Sequence, residues 1–168
     1  MLFGMGFSTT TAGGDVDELY IAGGTAVSTT SPATLAQLDV GSFTATTKGT
    51  VTGSPELTGN ANGELWGFFP DAANPKIEQI NKTNGTAISP AQLPSSMRGD
   101  PLDWAFAFYG GNYYVFLLKA DGLGFPEANT TVYELTPTGA LMSSTPAPGR
   151  SIVGAGVSTC APVVIGRQ

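Results

Sequence analysis

Thirteen carboxylates, no histidine and a single cysteine set the chemistry open to this chain. Without imidazole, general acid/base catalysis by histidine, Ser-His-Asp and Cys-His triads and most zinc sites are excluded. Carboxylates alone can hold a hard cation, or they can work as a pair roughly 5 to 10 Å apart across a glycosidic bond. Asp15-Val-Asp17-Glu18 puts alternate acidic oxygens in one loop, an arrangement that suits Ca²⁺. It lacks the glycine at the sixth loop position and the bidentate glutamate at the twelfth that an EF-hand needs. Asp100-Pro-Leu-Asp103 is a second such group. Both read more simply as solvated turns in which aspartate caps the backbone. No two of the thirteen acids stand out as a pair. The reading therefore assigns no catalytic residue, no metal and no cofactor.

Aromatic side chains are the other candidates. Trp66, Phe68, Phe69, Trp104, Phe106, Phe108, Tyr109, Tyr113 and Tyr114 are dense in the middle of the chain. They could stack on sugar rings, but their place within strands makes them core, because aromatics dominate buried area. Tyr109 and Tyr113, flanking Gly110-Gly-Asn112, are the two expected at the surface. The Gly-x-Gly pairs at Gly4/Gly6 and Gly154/Gly156 would need a following helix to cradle a dinucleotide, and neither has one. Close strand packing explains them better. Asn81, Asn84 and Asn129 open N-x-[ST] sequons, which matter only in a eukaryotic secretory route. Cys160 has no partner in the chain and is expected to be a small buried hydrophobe.

The elements that must position these residues repeat. Glu18-Leu-Tyr-Ile-Ala-Gly-Gly24, Glu64-Leu-Trp-Gly-Phe-Phe-Pro70 and Tyr113-Tyr-Val-Phe-Leu-Leu118 are three copies of an apolar, aromatic strand. From Leu19 to Leu65 is 46 residues and from Leu65 to Tyr114 is 49. Such a period marks repeated supersecondary units. A first strand precedes each copy: Leu2–Thr9, Pro55–Gly59 and Trp104–Tyr109. The phrase Ile152-Val-Gly-Ala-Gly-Val-Ser-Thr159 echoes Leu2-Phe-Gly-Met-Gly-Phe-Ser-Thr9 and predicts a fourth first strand. Third strands alternate apolar and polar at Leu35–Asp39, Ile77–Asn81 and Val132–Thr136. Short fourth strands follow at 43–47, 86–89 and 140–144. Asn84-Gly85 is the strongest hairpin signal. The loop 89–101, with three prolines and no periodicity, is expected to be exposed. No helix is expected.

Four antiparallel strands in about 48 residues match a propeller blade. The second strand is apolar on both faces at Leu65–Phe69 and Tyr114–Leu118, which calls for a sheet stacked on either side. The fold expected is all-β and propeller-like, in one domain of residues 1–168. Its repeats cover approximately 2–50, 51–99 and 100–149, with a partial unit at 150–168. Three blades and a strand do not close a ring. The chain is read as a fragment of a longer protein or as a homo-oligomer whose copies complete the ring, ahead of a sandwich or small barrel.

Composition limits the partners. Net charge is −6 and the seven basic residues are scattered, which excludes a nucleic-acid footprint and an anionic membrane surface. No run of about 18 apolar residues exists, so no membrane-inserting helix is expected. The start, Met1–Phe7, lacks a basic region and is too short for a signal-peptide core. Low lysine and abundant threonine and serine favour an extracellular or periplasmic setting over the cytoplasm.

The phrases Glu56-Leu-Thr-Gly59, Gly63-Glu-Leu-Trp-Gly-Phe-Phe-Pro70, Trp104-Ala-Phe-Ala-Phe-Tyr-Gly-Gly111 and Ile152-Val-Gly-Ala-Gly-Val-Ser-Thr-Cys-Ala-Pro162 carry a resemblance. From Pro55 to Pro162 the chain resembles a propeller-type repeat module of secreted proteins in Gram-negative bacteria, a module with no established activity. The resemblance implies a fold and passes on no catalytic residues. The expected function is a non-catalytic binding or scaffold module that self-associates into a larger propeller. Two alternatives are a carbohydrate-binding protein, either lectin-like or a fragment of a glycan-active enzyme, and a structural subunit of a fibre or surface layer. A small-molecule or glycan ligand would lie near the axis, beside the loops leaving the first strands. Ser8, Asn60, Tyr109, Asn112 and Ser158 are the residues expected to line its site.

Overall fold

The structure is a computed structural model that describes residues 2–24 and 30–164. Among the described residues twelve strands make three four-stranded antiparallel sheets, each a simple meander in chain order. The first sheet holds β1 (Leu2–Thr9), β2 (Asp17–Gly24), β3 (Pro32–Asp39) and β4 (Thr44–Thr52). The second holds β5 (Glu56–Gly59), β6 (Leu65–Phe69), β7 (Lys76–Ile80) and β8 (Ala87–Gln92). The third holds β9 (Pro101–Tyr109), β10 (Asn112–Lys119), β11 (Thr130–Leu135) and β12 (Leu141–Ala147). The arrangement is propeller-like, and the sheets do not close into a ring. Among the described residues no helix is long and apolar enough to cross a membrane.

The first strands of successive sheets lie side by side, and glycine makes this possible. A Cβ on Gly4 would meet the Pro55 carbonyl oxygen at 2.2 Å, and one on Gly59 would meet that of Phe7 at 2.2 Å. Backbone therefore packs on backbone between β1 and β5. Thr58 Oγ1 accepts the Phe108 N–H at 3.2 Å, which ties β5 to β9.

Two cores follow. Tyr20, Ala22, Ala33, Leu35 and Val51 of the first sheet pack on Leu57, Leu65, Phe69 and Ile80 of the second. Trp66, Phe68 and Ile77 on the other face of the second sheet meet Phe106, Phe108, Tyr113, Val115, Leu117, Tyr133 and Leu135 of the third. The second sheet is thus covered on both sides, and every residue of β6 is buried. The matching strand β10 departs from the expected double burial. Tyr113, Val115 and Leu117 are buried on one face; on the other, Leu118 is buried while Tyr114 and Phe116 are half-buried, because none of the three described sheets covers it.

Four further expectations are corrected. Tyr113 is 1% exposed, not at the surface, because its register opposite Phe108 aims the ring at Trp66, with centroids 4.8 Å apart. The segment 89–101 is not a free loop. Pairing with β7 extends β8 to Gln92, a single 3-10 turn forms at Ser95–Met97, and Leu93 and Met97 plug the larger core. Cys160 is exposed, because the segment around it lies outside any sheet. Ile152–Thr159 pairs with no strand among the described residues. No second, third and fourth strands follow it within them, so it has no sheet to join.

Candidate functional site

Each blade presents one aromatic ring whose polar tip is held by a carboxylate. In the first sheet the Tyr20 hydroxyl donates to Glu18 Oε2 at 2.5 Å, and Gln37 Nε2 donates to Glu18 Oε1 at 3.1 Å. In the second sheet Trp66 Nε1 donates to Glu64 Oε2 at 3.2 Å. In the third sheet Tyr114 donates to Glu134 Oε1 at 3.2 Å, and Asn112 Nδ2 donates to the same oxygen at 2.7 Å. The carboxylate has moved one strand outward here: Asn112 stands where Glu18 and Glu64 stand, and Glu134 stands where Gln37 and Gln79 stand. Burial and the neighbouring Glu18 raise the Tyr20 hydroxyl, so it stays protonated and keeps donating. Hydrogen bonds from Asn112 and Ser143 hold Glu134 below the usual carboxylate range.

The five residues expected to line a site fall into three places. Ser8 and Asn60 come together and are buried. Ser8 Oγ donates to the Glu64 carbonyl at 3.1 Å, and Asn60 Nδ2 donates to Glu64 Oε2 at 2.8 Å. Lys82 seals this group from the far side, donating to the Thr9 carbonyl at 2.7 Å, with its own pKa lowered by burial. Tyr109 and Asn112 flank the β9–β10 turn, where Tyr109 is exposed and Asn112 is spent on Glu134. Ser158 lies on the C-terminal segment and accepts the Cys160 N–H at 3.1 Å. None of the five lines the two clefts described next.

Both clefts lie beside the first strands. One, with a volume of about 310 Å³, is lined by Phe3, Gly4, Ser54, Pro55, Glu56, Leu102, Asp103, Trp104 and Val153. The other continues along β1 and β5 under residues 153–157. Glu56 belongs to both. Its carboxyl accepts the Met5 N–H, and desolvation nonetheless pushes its pKa up to about 7. Asp103 accepts a hydrogen bond from Ser151 Oγ at 2.8 Å. The Trp104 ring packs on the larger core and reaches the cleft from there. Glu56, Asp103 and Trp104 thus line one concave site. In the sequence Asp103 stands out only beside Asp100. Glu56, which lines the same cleft, comes from a different blade, a juxtaposition no local spacing encodes.

Among the described residues no group of three or more His, Cys, Asp or Glu gathers to hold a metal. The cluster at Asp15–Glu18 is instead dispersed into structure: Asp17 Oδ2 accepts from Thr159 at 2.7 Å, and Glu18 holds Tyr20.

Compared with protein-family models, with curated proteins and with solved structures, the chain matches none.

Proposed function

We propose that this chain is a non-catalytic binding module, a propeller-like scaffold whose cleft beside the first strands takes a small polyhydroxylated ligand such as a sugar residue. One observation carries the reading: Trp104, Glu56 and Asp103 line the same cleft. An aromatic face suits the apolar face of a sugar ring, and carboxylates accept from its hydroxyls. Ligand sites are concave and mostly apolar with a few converging polar groups, and 310 Å³ is at the small end of their range. The low charge density and threonine-rich surface suit a secreted bacterial setting, which belongs to the same proposal.

The test is a glycan array followed by titration calorimetry. Reproducible binding of one sugar class, weakened at least about tenfold in Trp104→Ala with the circular dichroism spectrum unchanged, is expected. No sugar bound at millimolar concentration would sink the reading. A second reading, a glycan hydrolase or a piece of one, draws on a single feature: Glu56 is held partly protonated near neutrality while Asp103 faces the same cleft, the pattern of an acid and a base. Release of a chromogenic aglycone by the wild type but not by Glu56→Gln would favour it over binding alone.

A further inference from the structure

Two Asn-Gly pairs sit in hairpin turns of this chain, Asn62-Gly63 between β5 and β6 and Asn84-Gly85 between β7 and β8. Asparagine before glycine is chemically labile. The glycine nitrogen can attack Cγ of the asparagine side chain, because glycine has no Cβ to obstruct the approach. The new bond closes a five-membered succinimide, and the side-chain nitrogen leaves as ammonia. Water then opens the ring at either carbonyl, giving aspartate or isoaspartate. Solvent water is the only co-reactant, and nothing is oxidised or reduced. As sequences the two pairs are equally prone to this reaction. The fold separates them.

Asn84 is locked. Its Oδ1 accepts the Thr86 N–H at 2.9 Å and the Thr86 hydroxyl at 2.8 Å. The nitrogen that would attack, that of Gly85, donates its N–H to the Asn81 carbonyl at 2.8 Å. The turn is also clamped between blades. A Cβ on Gly49 would meet the Asn84 carbonyl oxygen at 1.9 Å, and one on Gly85 would meet that of Thr50 at 2.4 Å, so the turn lies directly on β4. Gly85 is buried although Asn84 is exposed. Bringing its nitrogen onto the Asn84 side chain requires the two blades to part. The Thr86 donors also polarise the Asn84 carbonyl, which favours attack, but polarisation is of no use to a nitrogen that cannot turn towards it.

Asn62 lacks these restraints. It is exposed, and its side-chain amide makes no hydrogen bond among the described residues. Its backbone N–H donates to Asn60 Oδ1 at 3.0 Å, which leaves the side chain free to rotate. The Gly63 N–H reaches the Asn60 carbonyl at 3.2 Å, a longer contact than the 2.8 Å at Gly85. A Cβ on Gly63 would meet nothing nearer than 3.0 Å, so this turn rests more loosely on its neighbour at Thr11 and Ala12. We propose that Asn62 is a self-modifying site, which deamidates in the folded chain while Asn84 is protected. The product carboxylate stands two residues from Glu64, which holds Asn60 and Trp66, and adds one negative charge to the −6 of the chain. Isoaspartate also inserts a methylene into the turn, between Asn60 Oδ1 and the Glu64 N–H that it accepts at 3.3 Å.

The test incubates the full chain, folded or unfolded in urea, in mildly alkaline buffer made with heavy-oxygen water, followed by digestion and peptide mass spectrometry. Unfolded chain should label both asparagines at rates within about threefold of each other, and folding should slow Asn84 by about tenfold or more relative to Asn62. Ion exchange should show an acidic form that accumulates in the wild type and is absent from Asn62→Gln. Thr86→Val removes one of the two donors to Asn84 and should speed labelling there. Both substitutions fall at exposed positions, and circular dichroism confirms that the variants fold. Equal rates in the folded chain, Asn84 reacting first, Asn62 unlabelled long after the unfolded chain is converted, or an acidic form that persists in Asn62→Gln overturns the proposal. Slower labelling of Asn84 in Thr86→Val would show that Thr86 activates the carbonyl, and would overturn the lock. Asn62 lines neither cleft, so sugar binding is scored separately.

Discussion

Glu56 shows how one residue can stand between structure and function. It sits on the short strand β5, its carboxyl accepting the Met5 N–H, and the absent side chain of Gly4 leaves room for it: a Cβ there would lie 3.1 Å from Glu56 Oε2. Desolvation outweighs the hydrogen bond, so the folded protein prefers the neutral acid, with a pKa of about 7 against 4.5 for the free side chain. Between those values the native state binds more protons than the unfolded one. Stability therefore falls as pH rises from about 4.5 to 7 and levels off above, by at most ~3 kcal/mol. Glu56→Gln should flatten that part of the profile and raise the melting temperature at pH 8 while leaving it nearly unchanged at pH 4. Thermal melts at the two pH values decide. Equal shifts at both would mean that folding leaves the Glu56 pKa where it is in the free side chain.

At the scale of the element, glycine sets how closely neighbouring blades approach. Gly59 faces the first sheet, and its missing Cβ is what lets β5 touch the Phe7 carbonyl and Ser8. Both neighbours are backbone or tied to it, so neither can yield. Gly59→Ala should cost ~3 kcal/mol through overpacking, where the same change at exposed Gly122 costs well under 1 kcal/mol. Chemical denaturation of the two variants gives the comparison. Equal costs would show that the two strands can part without penalty.

The strands themselves were legible because each blade writes the same hydrophobic alternation and the same glycine or asparagine turn. Asn84-Gly85 turns where expected, with Gly85 at φ +80°. Most of what the sequence hid depends on contacts between blades. Tyr113 and Tyr114 are identical side chains in adjacent positions, and only the presence of a sheet on one side decides which is buried. Leu93 and Met97 lie in a proline-rich stretch without periodicity, so their role as a core plug has no local signal. Glu56 and Asp103 belong to different repeats, and the cleft they share exists only once β5 and β9 lie side by side. Position along the first strands says nothing of side-chain partners, and the structure spends Ser8, Asn60 and Asn112 on hydrogen bonds between or within blades.

Over the whole molecule, an arc of three sheets is held together by two hydrophobic interfaces and one strap. The strap is the segment after β12. Thr130 donates its N–H to the Arg150 carbonyl at 3.0 Å and accepts the Ile152 N–H at 3.0 Å on Oγ1, and Ser151 reaches Asp103. Residues 153–157 then pass along the cleft, Thr159 bonds Asp17 in the first sheet, and the Pro162 carbonyl accepts the Gly110 N–H at 2.9 Å back in the third. All three sheets are touched by one stretch of chain that has no ladder of its own. Its anchors are few, so it should open at lower free energy than the sheets it crosses. Thr159 is the key anchor: it is 4% exposed, and its hydroxyl is the link to Asp17. Thr159→Val keeps the shape and removes the hydrogen bond, leaving Asp17 short of one donor. Global stability should drop by only ~1 kcal/mol. Amide exchange at 153–161 should accelerate well beyond that of β6, the strand covered on both faces. Exchange mass spectrometry resolves the two regions. Uniform acceleration across both would mean that the strap and the sheets open together as one cooperative unit, and the cleft beneath the strap would then have no local opening through which to admit a ligand.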